Sequence, residues 1–176
     1  GHAMSIQENS IWRELEENKK GKLSPMHGGY DTVSEAWIRF VCEAVEIDCP
    51  LHYDEKIARA YGYDGIVAPP FFASIASIDP YWLPGNDPMS EKPISPGIYA
   101  AQLGIKNKVG FVTDVTLHCG KPIYPGDKIF RESCLTKVLP KTLKIADGAF
   151  VTVEDHMKDE NNEEKGVFEY VTFIGV

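Results

Sequence analysis

The sequence holds four cysteines with no C-x-x-C spacing among them. A chain of 176 residues can bury a core without disulfide staples, so Cys42, Cys49, Cys119 and Cys134 are expected as reduced thiols in a cytoplasmic protein. No apolar run reaches the length that spans a bilayer, and no signal peptide is expected ahead of the domain. Positive charge is in short supply: 18 Lys and Arg stand against 26 Asp and Glu, a formal net charge of −8. That balance argues against nucleic acid or an anionic membrane surface as a main partner. A P-loop, a dinucleotide fingerprint and a G-x-S-x-G elbow are also missing, which leaves nucleotide-binding and serine-hydrolase readings unsupported.

What is present begins as helix. Gly1-His2-Ala3 before Met4 reads as a cloning scar, residues 5–29 as an N-terminal extension, and residues 30–176 as one domain. Within the extension, Ile11, Trp12 and Leu15 sit at helical spacing and predict a short surface helix ending near Gly21. Thr32 and Glu35 have capping-box spacing. Trp37, Phe40, Val41, Ala44 and Val45 follow as one buried helical stripe. Pro50 bars continuation, so 47–52 is a loop, and Asp54 caps a second short helix closed by Gly62.

Pro69 and Pro70 suit the first turn of a helix over 69–79. Phe71, Phe72, Ala73, Ile75, Ala76 and Ile78 surround its axis, broken only by Ser74 and Ser77. A helix apolar on nearly all sides is buried on nearly all sides. Residues 80–108 carry five prolines and read as a long irregular excursion of the kind that serves as a binding loop. From 109 the hydrophobic period becomes two, with turns at Tyr124-Pro125-Gly126-Asp127 and across 158–166. The fold class that follows is α+β, an antiparallel sheet around one long buried central helix.

Candidate chemistry lies between the helices. Asp48 and His52 share a loop just upstream of the buried helix, a carboxylate–imidazole pair of the kind that moves protons to and from water. The same residues also suit a turn and a satisfied polar contact. The helix start offers backbone donors for an oxyanion, and since prolines have none they come from Phe71, Phe72 or Ala73. His118, Cys119 and His156 lack a further ligand at metal spacing, so no metal is expected.

The run DTVSEAWIRFVCEAVEIDCPLHYDEKIARAYGYDGIVAPPFF, then CGKPIYPGDKI and PKTLKIADGAFVTVEDHMKDENNEEKGVFEYVTFIGV, resembles MaoC-like dehydratases and (R)-specific enoyl-CoA hydratases, in the branch similar to the dehydratase domain of fungal fatty acid synthase. The resemblance implies the hotdog fold. It implies water addition to a trans-2-enoyl-CoA, or the reverse, with no cofactor beyond the coenzyme A of the substrate. A cluster of Lys or Arg is enough for that anion, whatever the net charge. The catalytic residues it implies are Asp48 and His52, and the residues contacting substrate Ala68, Pro70, Phe71 and Phe72. It also implies a homodimer or a heteromer with a second hotdog subunit. The family motif G-D-x-N-P-L-H aligns with Pro50, Leu51 and His52, while Glu46, Ile47 and Cys49 occupy its Gly, Asp and Asn positions. Catalysis then uses Asp48 or Glu46 through a loop shift, or the chain is a non-catalytic acyl-CoA-binding subunit. A hotdog thioesterase is the rival enzyme.

Overall fold

A computed structural model of the protein describes residues 6–21, 24–80, 82–85, 106 and 108–176. The period-two segments form four long strands: β2 (Val109–Cys119), β3 (Ile129–Thr142), β4 (Asp147–Asp159) and β5 (Glu164–Gly175). With the two-residue β1 (His27–Gly28) they make one antiparallel sheet in the order β1-β3-β4-β5-β2. Along β4, Ala149, Val151, Val153 and Met157 are buried and alternate with half-buried Thr152, Glu154 and His156. One face of the sheet therefore carries the core.

Local chemistry sets the connections. Gly126 takes φ +101° and the Asp127 N–H donates to the Tyr124 carbonyl at 3.1 Å, the type II turn expected from Pro-Gly. Between β3 and β4 the Leu143 N–H closes a turn onto the Ala146 carbonyl at 3.0 Å. At the β4–β5 hairpin the Asp159 carboxylate accepts from the Asn161 and Glu163 N–H groups at 2.9 and 2.8 Å.

The helices are α1 (Ile6–Lys19), α2 (Glu35–Ala44), α3 (Glu55–Ala60) and α4 (Phe72–Ala76). Asp54 caps α3 as expected, accepting from the Ile57 N–H at 3.1 Å. The cap of α2 is Ser34, whose Oγ accepts from the Trp37 N–H at 3.1 Å, and not Thr32. The cause is long-range: Val33 donates to the Asp127 carbonyl and accepts from the Gly126 N–H, both at 2.8 Å. Those bonds commit Val33 to pairing with the distant turn, so the helix starts after it. The buried face of α2 also differs, running through Ile38 and Cys42 with Trp37 and Val41 on its shoulders. At 3.6 residues per turn Phe40 and Ala44 fall on the opposite side, and Val45 lies past the helix end; all three are exposed.

The largest departure concerns the central helix. α4 has five residues in place of the expected 69–79, and Ile78 is 60% exposed. The two serines read as interruptions are where it stops. Ser77 Oγ donates to the Ala73 carbonyl at 2.7 Å, and Arg131, arriving from β3, donates to the Ser74 carbonyl at 2.7 Å and to Ser77 Oγ at 3.0 Å. The guanidinium on the Ser74 carbonyl and the Ser77 hydroxyl on the Ala73 carbonyl satisfy the helix end and end the apolar surface together.

A further part of the sheet's inner face, centred on β3 and β4, is covered by α1. Trp12 is 1% exposed and Leu15 not at all, packed with Leu135, Val138, Val151, Val153 and Ile174. α1 thus supplies core, beyond the surface role expected of it. The chain after α1 is sewn along β3: the Gly21 N–H donates to the Leu135 carbonyl at 2.9 Å and the Ser24 N–H to the Ser133 carbonyl at 2.8 Å. A second cluster, around Phe72, Ala73, Ile38, Ile129 and Met157, surrounds α4. Val151 and Met157 have the same parity on β4, so both clusters share one face. Between them runs a polar seam in which Arg131 pairs with Asp155 at 3.2 Å and Ser133 Oγ donates to Asp155 at 2.6 Å. Most of the expected 80–108 excursion lies outside the described residues. No helix among the described residues is long and apolar enough to cross a membrane.

Candidate active site

Pro50 starts a single 3₁₀ turn, Pro50–His52, which brings His52 back toward the segment preceding α4. The Val67 N–H donates to the Leu51 carbonyl at 3.1 Å, and His52 Nδ1 lies 2.6 Å from the Val67 carbonyl. A carbonyl accepts only, so Nδ1 carries a proton, and in the neutral form of the ring the lone pair sits on Nε2. A neutral imidazole in one defined tautomer can take a proton from water. The half-buried ring lines a cleft of about 360 Å³ together with Ala68, Pro70, Cys49, Tyr63 and Cys119.

The residues before it settle the direction of each side chain. Glu46 adopts φ +55°, the left-handed conformation that favours glycine, and glycine is what the resembling motif has there. This turns Ile47 inward, where it packs against the α4 cluster while its N–H donates to the Cys42 carbonyl at 2.9 Å. Asp48 consequently points outward. It is exposed and accepts from the Tyr53 hydroxyl at 3.1 Å. That hydrogen bond holds the Tyr53 hydroxyl above the ordinary phenol value. Asp48 and His52 border a common groove beside Ile47, but among the described residues no hydrogen bond joins them.

Of the residues expected to contact substrate, Ala68 and Pro70 line the cleft. Phe71 and Phe72 are not among its lining residues: the Phe72 ring is fully buried, edge-on to Trp37 with centroids 5.1 Å apart, and its N–H donates to the Pro69 carbonyl at 2.9 Å. The Ala73 N–H closes onto the Pro70 carbonyl at 3.4 Å. With Pro69 and Pro70 lacking donors, the Phe71 N–H is the amide of this turn left without a partner among the described residues. The other wall, Gly120, Lys121, Pro122, Ile123 and Lys165, was not read from the sequence. The sequence signals near it were the family-like run CGKPIYPGDKI and the Pro-Gly turn within it, neither of which assigned these residues to the site.

A family model, described as the FAS1-like dehydratase domain region, matches residues 22–165. The chain belongs to that family. As a FAS1-like dehydratase domain, it shares its fold with several solved structures. A chain of the ChsH1-ChsH2 complex from Mycobacterium tuberculosis aligns with TM-score 0.75 at 21% identity, over 95% of this chain and 92% of that one. The HadBC 3R-hydroxyacyl-ACP dehydratase complex, also from Mycobacterium tuberculosis, aligns with TM-score 0.61 at 20% identity, over 90% and 98%. The MaoC-like dehydratase from Rhodospirillum rubrum gives TM-score 0.61 at 20% identity, over 92% and 97%. The fold is thus the α+β hotdog of the MaoC-like dehydratases. No curated protein matches the sequence.

Proposed function

We propose that this dehydratase-family chain adds water to a trans-2-enoyl thioester of coenzyme A, or removes it from the 3-hydroxyacyl thioester, with His52 as the general base. The observation that carries the reading is the 2.6 Å contact of His52 Nδ1 with the Val67 carbonyl, which leaves Nε2 free beside the cleft. In the hydration direction a water oxygen bonds to C3 of the enoyl group as Nε2 takes its proton. The imidazolium returns a proton to C2, so the base is regenerated and one water is consumed. In this proposal the Phe71 N–H, next in the chain to the cleft-lining Pro70, donates to the thioester carbonyl. We assign the activity to the cytoplasm, a reading supported by four free cysteines.

A second hotdog chain completes the assembly in this proposal. The inward Ile47 and outward Asp48 favour it, because no carboxylate of this loop is hydrogen-bonded to His52 among the described residues, and in this proposal the partner supplies one. The same geometry supports the alternative of an acyl-CoA-binding subunit with its chemistry wholly on the partner. A panel of enoyl and saturated thioesters, with the chain alone and with a second hotdog chain bearing G-D-x-N-P-L-H, separates the readings. Loss of enone absorbance without free thiol is hydration, whereas thiol release marks a thioesterase and rejects the proposal. Activity of the mixture that is indifferent to His52→Ala assigns the chemistry to the partner.

A further inference from the structure

Lys165 is buried where the sheet would normally place an apolar side chain. Gly166 pairs with Met157 and Glu164 with Lys158, so Lys165 is the extra residue of a β-bulge in β5. Its exposure is 5%. Bulges re-aim side chains, and they recur beside active sites. Here the side chain lines the same cleft as His52.

The ammonium nevertheless has nothing to offer a ligand. Its three protons face the Pro122 carbonyl at 2.8 Å, Asp127 Oδ2 at 3.3 Å and Glu163 Oε1 at 3.3 Å, with Asp159 Oδ2 behind at 3.7 Å. Burial alone pulls its proton affinity down, but Asp127, Glu163 and Asp159 outweigh that and hold it above the ordinary lysine value. Lys165 is therefore a fixed cation with its donors committed to the protein.

What it fixes is the wall across the cleft from His52, to which the segment holding His52 is hydrogen-bonded. The Lys121 N–H donates to the Glu164 carbonyl at 2.9 Å, and Gly120 lies so close to the bulge that a Cβ would stand 2.5 Å from the Glu164 carbonyl. Next along that wall, the Ile123 carbonyl accepts from the Ala68 N–H at 2.9 Å. Ala68 adjoins Val67, whose carbonyl holds His52 Nδ1 at 2.6 Å. We infer that Lys165 is a positioning residue for His52, setting the orientation and tautomer of the imidazole through Pro122-Ile123 and Val67-Ala68. The inference rests on reading His52 as the general base.

The experiment is nitrogen–proton NMR of the full chain, following the His52 ring in the wild type and in Lys165→Met. With the wall released, the Nδ1–H should exchange with solvent about tenfold faster, the equivalent of one weakened hydrogen bond, and the Nε2–H tautomer should become visible. A purely structural lysine would lower the melting temperature and leave the His52 signals where they are. A folded Lys165→Met protein with wild-type His52 exchange and tautomer overturns the inference. Asp127→Asn is the second variant: it still accepts from the Tyr124 N–H but withdraws one charge from the lysine, and should shift the same signals by less. If Lys165→Met does not fold, Asp127→Asn decides, and unmoved signals overturn the inference. Signals that move in a protein that hydrates no thioester leave the positioning role standing and remove the base role.

Discussion

Replacing Ile47 with aspartate puts a carboxylate on a side chain that the loop already turns toward the interior. The left-handed Glu46 and the bond from the Ile47 N–H to the Cys42 carbonyl hold that direction whatever the side chain. Ile47 is half-buried against the α4 cluster. Full burial of an isoleucine is worth about 1.5–3 kcal/mol, so exchanging a half-buried one should cost about 1–2 kcal/mol of stability. A positioned acid–base group is worth roughly 100- to 10,000-fold in rate. If His52 lacks only its carboxylate, Ile47→Asp should raise enoyl-CoA hydration by the pure chain about 100-fold, the lower end, since nothing around position 47 is arranged for a charge. The assay is loss of enone absorbance, with the folded state checked by urea titration. Adding His52→Ala should erase the gain. A folded Ile47→Asp variant with no gain, alongside a wild-type rate that falls on Asp48→Asn, would refute the reasoning, because the exposed Asp48 would then be the working carboxylate.

Trp12→Ala should destabilise the protein by about 3–5 kcal/mol in urea titration, the usual cost of emptying an aromatic site in a core, whereas a surface helix would lose well under 1 kcal/mol. Asp155→Ala should cost about 3–5 kcal/mol by stranding Arg131 and the Ser133 hydroxyl, read by the same titration. Lys165 has a folded proton affinity above its unfolded one. Its contribution is therefore complete below the ordinary lysine value and fades as pH rises through the folded one. Thermal melts should accordingly show stability falling in strong alkali, less steeply in Lys165→Met.

What the sequence discloses about this fold is whatever is decided locally. The strands announce themselves because Val, Ile, Phe and Thr alternate, and the Tyr124–Asp127 turn because Pro and Gly suit its angles. Asp54 is legible as a cap because a cap acts three residues away. The misread features are set from afar. Thr32 loses the α2 cap because Val33 pairs with a turn more than ninety residues on. The central helix is short because Arg131 reaches its end from β3. The apolar run of 71–78 carries no trace of that guanidinium. At the site, His52 and the helix start were visible as a motif. That Asp48 turns out and Ile47 in follows from one backbone angle at Glu46. The burial of Lys165 follows from a bulge, and single-sequence patterning encodes neither.

Hydration of a trans-2-enoyl-CoA by the wild-type chain and by His52→Ala, each alone and with a second hotdog chain, tests the central claim that His52 is the base. Whichever wild-type preparation is active should lose roughly 100- to 10,000-fold in rate on His52→Ala, with no thiol released in either. A His52→Ala protein that hydrates at the full wild-type rate would contradict the account.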